Sequence, residues 1–326
     1  MRALVTGATG CVGANIVEAL LERGYQVRAL RRQSSRLDAL EGLKPELVIG
    51  DVNDYASLEA AMQGCDWVFH AAAISQYWRN KKETIFKVNV EGTQNVLRAA
   101  RACGVRRVIY TSSAGALGVP ERPGELIDET HPFNQPPERF PYGYSKVLAE
   151  QEVQAAIAAG LDAVIVNPVG VIGQRDVYFV GGEILRQASR GRLIVVPPGG
   201  TNFVSARAVG LGHVLAAERG LCGERYILAG DNATYLELGH LVAEVVGCKP
   251  PRYVLPARAI GPVAAVLDAL KRVGLSPGIE GDQLRLGAFP LYFEGSKAER
   301  ELGFPHVPLR AAIEEAWTWY RAHHWL

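Results

Sequence analysis

The sequence predicts an α/β fold: a Rossmann-type, doubly wound parallel sheet of about seven strands, with a smaller, mostly helical C-terminal substrate lobe. Three observations predict it. Short apolar runs alternate with helix-period segments through the first half. The links between them are short. The first strand runs directly into a glycine-punctuated turn that opens a helix. Parallel neighbours need crossover helices, and right-handed crossovers place those helices on both faces.

Apolar, β-branched runs mark strands at residues 2–6, 25–30, 46–49, 67–71, 107–111 and 163–166. Helical spacing fills the gaps at 12–23, 55–63, 83–103 and 142–159. After Pro168 the rhythm changes. "VVPPGGTNF" (195–203) reads as a loop by its Pro and Gly content, and "GERYILAG" (223–230) reads as a further strand. Helical patterns follow at 235–246, 257–273 and 309–323. The division expected is a dinucleotide-binding domain over 1–175, to which 203–230 returns. A lobe is expected from 176–202 and 231–326. Trp317, Trp319, Tyr320 and Trp325 in the tail read as anchors that dock the last helix.

Composition excludes several classes. The chain has 326 residues, 48% hydrophobic and 21% charged, with a net charge of +1. That balance offers no basic footprint for nucleic acid or an anionic membrane. The five cysteines (Cys11, Cys65, Cys103, Cys222, Cys248) have neither metal-ligand spacing nor a disulfide framework, so no metal is expected and a reduced, cytoplasmic compartment fits. The apolar run starting at Ala3 leaves no room for a signal peptide, and no uncharged stretch is long enough to span a bilayer.

"TGATGCVG" (6–13) places Gly7, Gly10 and Gly13 between strand and helix. In that context one glycine makes the tight turn, another lets backbone approach a pyrophosphate, and a third lets helix and strand pack closely. The helix N-terminus offers free N–H groups to the phosphates. The stretch after the second strand, "VRALRRQSSR", has no acid until Asp38. Its arginines Arg31, Arg32 and Arg36 suit a 2′-phosphate better than bare ribose hydroxyls, so NADP(H) is expected over NAD(H). In "PYGYSKVLAE" (141–150), Lys146 shares a helix face with Tyr142 but not with Tyr144.

Taken together, these motifs resemble the extended short-chain dehydrogenase/reductase family, the NAD(P)-dependent epimerase/dehydratase superfamily. Further matches are Asp51, "HAAA" (70–73), "NVEGT" (89–93), "YTSSAG" (110–115), Tyr142-x-x-x-Lys146 and "NPVGVIG" (167–173). The pattern is closest to its dihydroflavonol reductase and cinnamoyl-CoA reductase-like members. The resemblance implies an oxidoreductase acting on a CH–OH or C=O group. Tyr142 would be the general acid or base, Lys146 its charged neighbour and ribose contact, and Ser113 the hydroxyl that holds the substrate oxygen. Thr111 and Ser112 are rivals for that last role. Asn89 would complete a proton relay; its alternative is a helix residue bonding backbone.

For the cofactor the resemblance implies Thr6, Gly7, Thr9, Gly10, Cys11, Val12 and Gly13 at the turn. Arg31, Ser35 and above all Arg32 would meet the adenosine end. Asp51, with Val52 beside it, would cap the adenine; its alternative is a helix N-cap. His70, Ala71, Ala72, Tyr142, Lys146, Pro168 and Val171 complete the set, with His70 read as a packing or cofactor-contact residue. Free tyrosine titrates near ~10, so lowering it by ~3 units needs about 4 kcal/mol from neighbouring positive charge.

Within the family, the strand-two arginines and the absence of an Asp-Glu pair in "TSSAG" favour a reductase of a hydrophobic ketone or aldehyde. Arg207-Ala208 replaces the acidic pair that epimerases carry. An NAD-dependent nucleotide-sugar epimerase is the alternative, kept open by Arg175, Arg186 and Arg192. A non-catalytic NADP-binding sensor is a second. Ile74, Tyr77, Trp78, Tyr178 and Phe179 are candidates for the wall of the substrate site. Relatives dimerise through helices matching 83–103 and 142–159, so a homodimer is expected, with a small carbonyl or alcohol compound as the other partner.

Overall fold

Alternate residues of the predicted strands point to opposite faces, so strands rich in Val, Ile and Leu on both sides must be covered on both. The computed structural model describes residues 1–122, 124–275 and 281–326 and shows that arrangement. The first half runs β1 (Arg2–Thr6), α1 (Cys11–Glu22), β2 (Gln26–Arg31), β3 (Glu46–Ile49), α2 (Tyr55–Met62), β4 (Trp67–His70), α3 (Lys82–Phe86), α4 (Gly92–Ala102), β5 (Arg107–Thr111), α5 (Pro141–Ala158) and β6 (Ala163–Pro168). The second half adds β7 (Gly170–Ile172), α6 (Glu183–Ser189), β8 (Val195–Val196), β9 (Gly200–Ser205), α7 (Ala206–Arg219), β10 (Arg225–Leu228) and β11 (Asp231–Thr234). It ends with α8 (Tyr235–Val246), β12 (Tyr253–Val254), α9 (Ala257–Arg272), α10 (Gly281–Leu286), β13 (Pro290–Leu291), α11 (Ser296–Leu302) and α12 (Leu309–Ala322).

Seven parallel strands form the main sheet in the order β10–β6–β5–β4–β1–β2–β3. The order reverses at β1, and the crevice at that reversal is where such sheets take ligands. Ala3, Val5, Phe69, Ile109 and Val166 face one layer with Ile16, Val17 and Val209. Leu4, Val68, Val108 and Ile165 face the other with Val96 and Val153. Each such side chain contributes ~1.5–3 kcal/mol when fully buried. On the first layer α1 and α7 touch almost backbone to backbone. A Cβ on Gly210 would lie 2.3 Å from the Asn15 carbonyl oxygen.

Two departures from the sequence expectation matter for the site. The helix expected over 83–103 is interrupted by a π-turn at Lys87–Glu91, which carries Asn89. Such turns accumulate at functional sites. The stretch read as a loop contains β9, the centre of a second, four-stranded sheet with β11, β13 and β7. Gly199 and Gly200 are not loop punctuation there. A Cβ on Gly200 would meet the Ala233 carbonyl oxygen at 2.3 Å, so the glycine permits close strand approach. The lobe is therefore helical around a small sheet. Its last helix docks by Trp319 and Tyr320, both buried, with Tyr320 stacked on Phe179 at 4.8 Å.

Candidate active site

The glycine turn joins β1 to α1. Gly7 sits at φ +68°, a left-handed conformation that glycine accepts without strain. A Cβ there would lie 2.6 Å from the Ala72 nitrogen, and one on Gly13 would lie 2.1 Å from the Gly7 carbonyl oxygen. Gly10 differs: its Cβ would meet only the Gly7 oxygen, at 3.5 Å. Gly10 is the N-cap of α1, with no side-chain cap and no acid in the first turn. The helix thus presents unshielded N–H groups past a residue that leaves room for a ligand. This cradle fits the pyrophosphate of a dinucleotide. Thr9, Cys11 and Val12 are half-buried along it, and Ala71 and Ala72 border it at Gly7, also half-buried; Val171 is half-buried on β7.

Thr6 and His70 do not line the cleft. His70 is 1% exposed and Thr6 fully buried. Thr93 Oγ1 donates to the Asn89 carbonyl at 2.7 Å, so it accepts from His70 Nε2 at 3.0 Å. His70 Nδ1 is then free to accept from Thr6 Oγ1 at 2.8 Å, and Thr6 Oγ1 accepts from the Ala72 N–H at 3.3 Å. The chain fixes a neutral tautomer, and burial pushes the imidazole down to about 3. The side chains of both residues are spent on this internal chain, which braces the turn through the Ala72 N–H. Gly13, Val52 and Pro168 are buried as well.

At the end of β2, Arg31 is half-buried with its Nε unpartnered, and Arg32 is exposed with no ion pair among the described residues. The Arg32 N–H donates to Ser35 Oγ at 3.0 Å. Arg36 is already engaged, paired with Asp38 at 3.0 Å and lying over the Trp325 ring. Asp54, not Asp51, caps α2. Asp51 instead accepts from the N–H and the side-chain amide of Asn53 at 2.9 and 3.0 Å.

The polar corner lies after β5. Pro141 opens α5 and sets Tyr142 in the first turn. Tyr142 stacks parallel to Tyr77, with Phe140 edge-on beside it. Of the three candidate hydroxyls, Thr111 Oγ1 is 2.9 Å from His213 Nε2, and Ser112 donates to Glu150. Ser113 Oγ accepts from the Gly115 N–H at 3.1 Å, and of the three it is the one whose side chain bears on Tyr142, acting to lower its phenol. Of the two cations expected to depress the phenol, Lys146 and the nicotinamide ring, Lys146 does not act on Tyr142 here. Burial raises Tyr142, and only Ser113 acts against it. The reason is where Lys146 points. Its Nζ donates to the Thr111 carbonyl at 2.8 Å and the Tyr110 hydroxyl at 3.4 Å, over the Tyr110 ring. Burial brings Lys146 itself down to about 7.

Asn89 bonds backbone, the alternative to a relay. Its Oδ1 accepts from the Ile74 N–H at 2.8 Å, and its Nδ2 donates to the Ile74 carbonyl and to Ser145 Oγ. Tyr144 turns away from Lys146 and packs on Phe133 and Phe86.

Two cavities meet at Phe140 and Leu286. One, of about 220 Å³, is lined by Ser113, Pro168, Tyr235, Leu291 and Phe293 among others. The other, of about 390 Å³, is lined by Tyr77, Ile260, Phe289, Arg139 and Arg285 among others. Of the wall residues expected from sequence, only Tyr77 lines either cavity. Trp78 packs on Tyr77, Phe179 is committed to Tyr320, and Tyr178 is exposed. Arg175 is tied to Glu18 and the Ala39 carbonyl, and Arg186 to Glu183 and the Phe179 ring. Phe140, Tyr235 and Phe293 were missed. Only Phe140, beside Tyr142 in sequence, carried a local signal. Among the described residues no cluster suited to a metal ion occurs, and no helix is long and apolar enough to cross a membrane.

Residues 3–229 match the model of the NAD dependent epimerase/dehydratase family. A provisionally named dihydroflavonol 4-reductase of Synechocystis sp. is 38% identical over 98% of this chain and 94% of its own. Sterol demethylase protein B of Methylococcus capsulatus is 36% identical over 98% of both chains. The crystal structure of gox2253 superposes with a TM-score of 0.87 at 36% identity, covering 100% of this chain and 99% of that one.

Proposed function

Because the chain belongs to the NAD dependent epimerase/dehydratase family, whose members bind NAD(P) and whose relatives here are extended short-chain oxidoreductases, we propose that it is an NADPH-dependent reductase of a hydrophobic ketone or aldehyde, or the reverse dehydrogenase. The observation that carries this is the Ser113–Tyr142 pair. Of the three hydroxyls at 111–113, Ser113 is the one that neither His213 nor Glu150 takes, its side chain bears on the Tyr142 phenol, and it lines a cavity walled mainly by carbon.

When bound, the nicotinamide ring supplies or accepts the hydride. The residues of this chain handle the oxygen and its proton. Ser113 holds the substrate oxygen and steadies charge developing on it. Tyr142, kept as a neutral phenol by burial, donates the proton in reduction and takes it in oxidation. Lys146, poised at about 7, places a readily exchanged proton on the next helical turn. Arg31 and Arg32 hold the 2′-phosphate, which favours NADP(H) over NAD(H). A sugar nucleotide carries a diphosphate; of the three arginines that would suit it, Arg175 and Arg186 are engaged elsewhere and Arg192 is exposed.

The test is NADPH and NADH oxidation followed by absorbance across ketones, aldehydes and flavonoid-like compounds. Turnover of apolar carbonyl compounds with NADPH preferred is expected. Interconversion of UDP-sugars without net cofactor oxidation, or tight NADPH binding with no turnover of the panel, would remove this assignment.

A further inference from the structure

The polar face of α5 does not end at Lys146. Glu150 follows at the same four-residue interval and is 4% exposed. A carboxylate that deep is costly unless several donors meet it. Three do. Oε1 accepts from Ser112 Oγ and, at 2.9 Å, from Asn167 Nδ2. Oε2 accepts from Arg225, whose Nη1 donates to the Glu129 carbonyl at 3.0 Å. Asn167 Nδ2 also donates to the Ser113 carbonyl, at 3.0 Å.

These partners come from three places: the loop after β5, the strand β6 and the edge strand β10. One carboxylate therefore anchors the Ser112 side chain and, through Asn167, the Ser113 carbonyl. An apolar residue at position 150 would serve packing equally well, so packing alone gives no reason to bury a charge there. Holding Ser113 in place does.

The charge has a second consequence. Lys146 is faced by the Tyr110 hydroxyl and Thr111 carbonyl of β5, by His70 of β4, and by Glu150 on its own helix. Of these, Glu150 is the group that favours the ammonium form; burial opposes it.

We propose that Glu150 is a positioning residue: its buried carboxylate fixes Ser113 against the Tyr142 hydroxyl and holds a negative charge one helical turn from Lys146. The inference rests on the oxidoreductase reading of this corner. Glu150 touches no reacting atom; it acts through Ser112, Asn167 and Lys146.

The test is Glu150→Gln in the full chain, with folding checked by circular dichroism and NADPH affinity by fluorescence. The side chain keeps its size and loses its charge. The expected result is a kcat about 10–100-fold lower with NADPH affinity within about twofold. Losing the anion makes Lys146 shed its proton more easily. The alkaline limb of the reductive pH–kcat profile should therefore move to lower pH by about half a unit or more. A kcat within about threefold of wild type, or a loss with an unshifted limb, overturns the inference. Should Glu150→Gln not fold, Ser112→Ala carries the test. A kcat at least about fivefold lower at unchanged NADPH affinity sustains it, and a kcat within about twofold overturns it.

A wild-type chain that reduces no carbonyl compound would sink the proposed function instead. The crystal structure of Glu150→Gln then decides the inference alone. Ser113 Oγ withdrawn from Tyr142 sustains it, and Ser113 unmoved overturns it.

Discussion

The glycine turn after β1 and the polar corner after β5 stand at the same edge of the sheet with β4 between them, yet they are held by opposite means. The turn is backbone against backbone. Gly7 and Gly13 leave no room for one added carbon. The corner is side chain against side chain. Lys146, Glu150 and Ser112 are positioned by hydrogen bonds and Tyr142 by the rings of Tyr77 and Phe140. A single buried histidine backs each region: His70 beneath the turn and His213 beneath Thr111. The lesson is that the turn fails by gaining atoms and the corner fails by losing polar ones.

The largest effect should come from the corner. Tyr142→Phe removes one hydroxyl and no carbon. It is expected to lower kcat on the order of 10²–10⁴-fold, since general acid–base catalysis contributes that much. NADPH affinity, measured by fluorescence, should stay within about threefold because the turn is untouched. Weak cofactor binding in that variant would show that the two regions are not separable.

Acid should strike both regions together. His70 and His213 titrate at about 3 and about 4 in the folded chain, below the ordinary value of 6.5. Their folded-state values are depressed, so the unfolded chain binds protons more readily. The stability they carry is complete above pH 6.5 and is lost as pH falls towards 3–4. Between pH 7 and pH 5 each histidine should cost on the order of 2 kcal/mol, seen as a lower denaturation midpoint. A midpoint unchanged across that interval would mean that both rings are charged, or exposed, in solution.

Within the turn, two glycines sharpen the contrast. Gly13→Ala forces a Cβ to 2.1 Å from a backbone oxygen, and overpacking of that kind costs ~1–3 kcal/mol in thermal unfolding. Gly10→Ala meets nothing closer than 3.5 Å, so stability should change by less than ~0.5 kcal/mol. NADPH affinity should nevertheless fall, because the methyl occupies the approach to the helix N-terminus. Equal melting temperatures for the two variants would contradict this division of labour.

The smallest predicted change tests cofactor choice. Arg32→Ala should raise the NADPH dissociation constant about tenfold, the worth of a charge-assisted hydrogen bond, and leave that for NADH nearly unchanged. Equal losses for both cofactors would place Arg32 away from the 2′-phosphate.

How much of this was legible in the sequence follows the same comparison. The turn could be read because its logic is local: strand, glycine spacing and helix lie within a dozen residues. The spacing of Tyr142 and Lys146 could be read for the same reason. What Lys146 touches could not, because the Thr111 carbonyl reaches it only through sheet order. The three hydroxyls at 111–113 are indistinguishable in sequence. They separate only when His213 takes one and Glu150 another. The cavity wall from Tyr235 and Phe293 comes from residues just past β11 and β13 of the second sheet, whose central strand hides in a stretch rich in proline and glycine. His70 and Thr6 read as cofactor contacts because they flank the crevice. Burial turned their side chains underneath it.

The central claim is that Tyr142 and Ser113 together handle the substrate oxygen. A crystal structure of the chain with NADPH and a non-reacting alcohol bound tests it most directly. The account predicts the alcohol oxygen within hydrogen-bonding reach of both hydroxyls, with the carbon skeleton in the cavity lined by Tyr235 and Phe293. An oxygen bound elsewhere, out of reach of both hydroxyls, would contradict it.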